Sequence, residues 1–158
     1  MSDTLGMMGR MTVKFQVTID CADPAQLVRF WADALGYQAQ PPPEGFETWA
    51  GFYRSIGIPE EELVDIGPDR LIDPGGQGPR FWFQQVPESK IIKNRLHLDL
   101  FVSGGRQTPI EERKACIDAE AERLVTAGAS RLRVHDEEGI DHYAVTMQDP
   151  EGNEFCLV

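Results

Sequence analysis

The sequence predicts an α+β domain of two βαβββ modules whose sheets curve into a cup flanked by two helices. Three observations predict it. A strand, a capped helix and a glycine stop follow one another in Phe15–Gly36 and again in Leu96–Gly128. The phrase Asp73-Pro74-Gly75-Gly76 ahead of a strand recurs as Asp149-Pro150-Glu151-Gly152. About six to eight strand patterns accompany only two long helical ones, each helix following the first strand of its half. An unrelated α+β sandwich in which two common Asp-Pro turns coincide is the alternative.

From Thr12 to Asp20 apolar and polar residues alternate, so Val13, Phe15, Val17 and Ile19 share one strand face and Lys14, Gln16, Thr18 and Asp20 the other. Asp23 caps a helix with Pro24 at its first position; Leu27, Phe30, Trp31, Ala34 and Leu35 form its apolar stripe, and Gly36 ends it. Tyr37–Gln40 reads as a short strand before the three prolines at 41–43, which cannot donate to a sheet. Residues 44–79 allow a strand around Glu47–Tyr53, a helical turn at Pro59–Leu63 with Glu60, Glu61 and Glu62 on a solvated face, and then a turn. Arg80–Val86 is a strand, and Leu96–Val102 another. Thr108-Pro109-Ile110-Glu111 opens a second helix with Pro109 at its first position; it runs to about Ala127, with Ile117, Ala121, Leu124 and Val125 inward and Gly128 as its stop. Strands at Arg131–His135, His142–Met147 and Glu154–Val158 complete the chain. Residues 1–11 read as a flexible tail and 12–158 as one domain, its modules at about 12–90 and 94–158.

The chain has 158 residues, within the range of a single core. Its 15 Lys and Arg against 26 Asp and Glu give a formal charge of −11, which repels a phosphate backbone and excludes nucleic acid as an expected partner. Cys21, Cys116 and Cys156 are odd in number and irregularly spaced, which fits a reducing cytoplasm. Neither a signal peptide nor a run of about 20 apolar residues is visible, so no membrane partner is expected. No phosphate loop, dinucleotide fingerprint or nucleophile elbow occurs.

Strand periodicity places Arg95, His97 and Asp99 on one face, and the module match makes it the face of Gln16, Thr18 and Asp20. His97 can serve as a general base or ligand with Asp99 orienting it, or Arg95 and Asp99 form an ion pair that satisfies it. Trp82 and Gln84 share a face, where the indole is either a flat wall for a planar ligand or core. Glu154 is either a general acid/base or a solvated strand-end carboxylate. Cys156 reads as a small buried hydrophobe, His135 as a surface residue, and His142-Tyr143 as a rim.

Ile19–Pro24, Phe30–Tyr37, Lys93–Leu100 and Asp149–Cys156, in this order, resemble the glyoxalase-like branch of the vicinal oxygen chelate superfamily. The resemblance spans nearly all of 12–158 and implies the paired βαβββ fold, a small-molecule ligand and pairing into a homodimer. That superfamily holds glyoxalase I, extradiol dioxygenases, epimerases, thiol transferases acting on fosfomycin, and proteins that sequester bleomycin without catalysis. Position by position, its metal ligands fall at Gln16, near Trp82 or Gln84, at His97 and at Cys156. Gln16 and His97 suit a divalent metal, whereas a thiol replaces the usual carboxylate at 156, which leaves metal dependence open. The expected site therefore has His97, Glu154 and Asp99 in catalytic roles and Gln16, Asp20, Trp82, Gln84 and Arg95 against the ligand. The implied activity is a lyase- or isomerase-type reaction centred on His97; the alternative is sequestration of a cationic or aromatic compound.

Overall fold

The computed structural model describes residues 13–63 and 66–158. The expected tail, residues 1–11, lies outside the described residues. Among the described residues eight strands and three α-helices follow in the order β1 (Gln16–Cys21), α1 (Pro24–Leu35), β2 (Gln38–Ala39), α2 (Trp49–Ser55), β3 (Arg70–Ile72), β4 (Arg80–Gln85), β5 (Asp99–Leu100), α3 (Ile110–Thr126), β6 (Ser130–Asp136), β7 (Tyr143–Gln148) and β8 (Glu154–Leu157). They form two four-stranded mixed sheets with one plan: β1-β4-β3-β2 and β5-β8-β7-β6. In each, the first strand runs parallel to the last and every other pair is antiparallel.

The local chemistry of α1 is as the sequence predicts. The Asp23 carboxylate accepts from Gln26 N, Pro24 occupies the first turn, and Gly36 ends the helix at φ 67°, in the left-handed region where a side chain is strained. Leu27, Phe30 and Trp31 are buried, with Val28 added to the stripe. These residues meet Leu71, Phe81 and Phe83 of the first sheet and Val145, Met147, Phe155 and Leu157 of the second in one core cluster. The Trp31 and Phe155 rings lie 5.1 Å apart, so the first helix packs on the last strand. One face of each sheet is spent on this core; the opposite faces carry the polar residues.

Five expectations are corrected. Glu47–Tyr53 is not a strand: Thr48 Oγ1 accepts from Gly51 N at 3.0 Å and caps α2, where Trp49 packs on Phe52 and Tyr53 at helical spacing. Only Asp99–Leu100 of Leu96–Val102 is regular strand, although Cys156 N still bonds Leu98 O and Val102 N bonds Val158 O. Pro109 is the cap of α3 rather than its first residue, and the Thr108 carbonyl accepts from Arg113 Nε instead of the Thr108 hydroxyl capping the helix. Val125 is 40% exposed and lies off the inward face. Val13 and Phe15 precede β1, which begins at Gln16 rather than Thr12, and both are exposed.

Candidate functional site

The polar face of the second sheet is set by register. Asp99 pairs with Cys156 across β5 and β8, and Cys156 with Thr146 across β8 and β7, so three side chains form a row. His97 stands two residues before Asp99 on the same face, with Nε2 3.2 Å from Asp99 Oδ1. One donor atom from each of His97, Asp99 and Cys156 lies within 4.8 Å of the others. Thr146 Oγ1 is 3.6 Å from Cys156 Sγ and 2.9 Å from His135 Nε2. Cys156 and His135 are thus half-buried members of a polar row, not a core hydrophobe and a surface residue. The period-2 relation of Cys156 to Glu154 was the available sign for the cysteine; nothing local marked His135. Tyr143 turns inward and donates to Asp118 Oδ1 at 2.8 Å, so it forms no rim.

On the first sheet, register pairs Gln16 with Arg80, Thr18 with Trp82 and Asp20 with Gln84, which brings five of these onto the face expected for the ligand together with Arg80. Arg80 Nη1 donates to Gln16 Oε1 at 3.2 Å, and Gln16 Nε2 reaches Thr18 Oγ1 at 3.4 Å. Trp82 is half-buried and donates to Asp69 Oδ2 at 3.1 Å, so its indole is neither core nor a bare wall. Asp69 also pairs with Arg70 at 2.9 Å. The Arg70 guanidinium lies 4.7 Å over the Trp49 ring and 6.0 Å from the Tyr53 and Trp82 rings, a cation among aromatic faces that α2 helps to supply. Gln84 is half-buried beside exposed Asp20, and Arg95 is exposed with no ion pair among the described residues.

Between β1 and the segment that links β4 to β5 lies an open cleft of about 1200 Å³. Thr18 and Asp20 form one wall, and Lys90, Asn94, His97 and Glu154 another. Glu154 is buried with both oxygens engaged: Lys90 Nζ donates to Oε1 at 3.2 Å and Asn94 N donates to Oε2 at 3.0 Å. Burial by itself raises its pKa, but the Asn94 N–H and the Lys90 ammonium outweigh burial and hold the carboxyl below the ordinary value. Cys21, also in the wall, has its thiol pushed up to about 12, first by burial and then by the charges of Glu151 and Asp23, so it is no nucleophile at neutral pH.

The metal set implied by the resemblance does not fit these residues. The Gln16 oxygen that would bind the cation accepts from the permanently charged Arg80, and of the alternatives Trp82 and Gln84 only Gln84 carries a ligating oxygen. His97, Asp99 and Cys156 are the described group whose donor atoms converge, a nitrogen, oxygen and sulfur set of the kind that suits zinc.

The sequence profile of the glyoxalase-like domain matches residues 16–158. The curated proteins offer no match. Among solved structures, a glyoxalase/bleomycin resistance protein/dioxygenase family enzyme from Burkholderia phytofirmans superimposes with a TM-score of 0.54 at 19% identity, covering 90% of this chain and 94% of the other. The fosfomycin resistance protein FosX from Mesorhizobium loti gives 0.54 at 12% identity, covering 94% and 92%. A member of the same superfamily from Sphaerobacter thermophilus gives 0.52 at 15%, covering 94% and 97%. At these identities the structures speak for the fold, and the profile for the family. With paired sheets of one plan and a match over all eight strands, the chain belongs to the glyoxalase-like domain family of the vicinal oxygen chelate superfamily.

Proposed function

We propose that the chain binds a small organic molecule in the cleft between its sheets and handles a proton of that molecule at His97, in a lyase- or isomerase-type reaction. The carrying observation is the 3.2 Å contact between His97 Nε2 and Asp99 Oδ1 at the cleft. A carboxylate on one ring nitrogen fixes the proton there and leaves the other nitrogen, Nδ1, with its lone pair for proton abstraction. Both side chains are close to half exposed, at 42% and 48%, so a ligand can reach them. Asp99 is the positioning residue; Glu154 has no free oxygen for a proton step in this arrangement.

The test is exchange of carbon-bound protons into D2O across a library of small carbonyl and hydroxy compounds, followed by proton NMR. The expected result is saturable exchange with wild-type protein that falls about 100-fold or more in His97→Gln. Exchange unchanged in that variant overturns the reading. A second reading, sequestration of an aromatic compound without turnover, is supported by the Trp49, Tyr53 and Trp82 rings gathered on the first sheet. It predicts saturable quenching of tryptophan fluorescence by a compound that is recovered unchanged.

We also infer a homodimer. Phe15, Leu96 and Phe101 are 70%, 88% and 86% exposed around edge strands that have one neighbour each. The free thiols of Cys21, Cys116 and Cys156 support a reducing cytoplasm. Among the described residues no helix is long and apolar enough to cross a membrane.

A further inference from the structure

We propose that the polar face of the first sheet holds an oxyanion group of the ligand, a carboxylate, phosphate or phosphonate, on the guanidinium of Arg80. The inference rests on the cleft being the ligand site and names the charge of what enters it.

Arg80 is half-buried, and its Nε is fully buried with no hydrogen-bond partner among the described residues. Among the described residues its guanidinium makes one bond, from Nη1 to the uncharged Gln16 oxygen. The other buried or half-buried arginines among the described residues are neutralised: Arg70 by Asp69 and Arg113 by Asp141. In a chain with 26 acidic residues and 15 basic ones, an inward arginine without a carboxylate is the exception. A fixed cation short of acceptors costs folding free energy unless something outside the chain supplies them. The fork of the guanidinium matches the two oxygens of an oxyanion.

The position lies beside the cleft rather than in its wall. Gln16 links Arg80 to Thr18, and Thr18 is in the cleft wall. Trp82 stands two residues beyond Arg80 on the same face, so a planar group attached to the anion meets an indole. Asp20, the acidic residue of this face on β1, lies opposite Gln84 at the other end of the register and makes no ion pair with Arg80. The same charge that rejects a metal at Gln16 rejects a cationic ligand.

Benzoate, inorganic phosphate and benzylammonium serve as probes on the full chain. The readout is the Arg80 Nε–H signal in proton–nitrogen correlation spectra, assigned with Arg80→Lys. Benzoate and phosphate are expected to shift it saturably and benzylammonium to leave it in place. Arg80→Met is expected to weaken benzoate binding about tenfold or more. An Arg80 signal unmoved by both anions, benzylammonium binding as tightly as benzoate, or undiminished benzoate affinity in a folded Arg80→Met protein overturns the proposal. If that variant does not fold, the wild-type arms decide. The two readings fail separately: benzoate at Arg80 with no proton exchange on any compound removes the chemistry but keeps the anion site, and His97-dependent exchange with no anion effect at Arg80 does the reverse.

Discussion

A carboxylate serves a ligand only when an oxygen is free, and the two acidic residues expected in catalytic roles differ on this point. Asp99 is half exposed with His97 on one oxygen, whereas Glu154 is 7% exposed and ties Lys90 and Asn94 of the linker to β8. Its folded pKa lies below the ordinary value, so its stabilising contribution is complete above the unfolded-state pKa and disappears as pH falls through the folded one. Glu154→Gln is expected to cost about 1–3 kcal/mol in urea unfolding at neutral pH. The gap from wild type should close in acid; one that persists at low pH contradicts the ionic role. Strand alternation placed Glu154 on the right face, but its partners are 64 and 60 residues away in sequence, and no local pattern announces them.

At the scale of elements, the repeated Asp-Pro-x-Gly phrase is one device used twice. The Asp73 carboxylate accepts from the Gly75, Gln77 and Gly78 amides, and Asp149 from the Glu151 and Asn153 amides. Gly76 and Gly152, equivalent in the phrase, have φ of 68° and 84°. Asp149 does more, because it is 2% exposed and also accepts from the buried Trp31 Nε1 at 3.1 Å. Asp149→Ala strands that indole N–H with the turn amides and is expected to cost about 3 kcal/mol by chemical denaturation, clearly more than Asp73→Ala. Equal losses would mean the turn alone matters. These turns were legible because their chemistry is local. Trp49–Ser55 was misread because Trp, Phe and Tyr favour strands, and only the Thr48 cap and the stacking of α2 on Arg70 make a helix of them.

At the scale of the whole molecule, contacts between the halves make one body of the repeats. Glu151, in the second turn, accepts from Ala22 N and Asp23 N at the start of α1, and Arg123 of α3 pairs with Asp33 of α1. What these contacts leave uncovered are Leu96 and Phe101 beside the unpaired edge of β5. Light scattering on the full chain is expected to give twice the 17.7 kDa chain mass, and Leu96→Asp combined with Phe101→Asp to give a folded monomer. A wild-type monomer at all concentrations contradicts the pairing.

The sequence by itself determined the βαβββ plan, the caps of α1, both Asp-Pro turns and the polar faces of the first strands. Each depends on neighbours within a few residues, where backbone geometry and side-chain chemistry act directly. Only the tertiary structure decided that the Gln16 oxygen accepts from Arg80, that Glu154 is spent on the linker, and that Cys156, Thr146 and His135 share a row with Asp99. Sheet register sets those neighbours, and register comes from packing the whole chain around one core, not from any single segment.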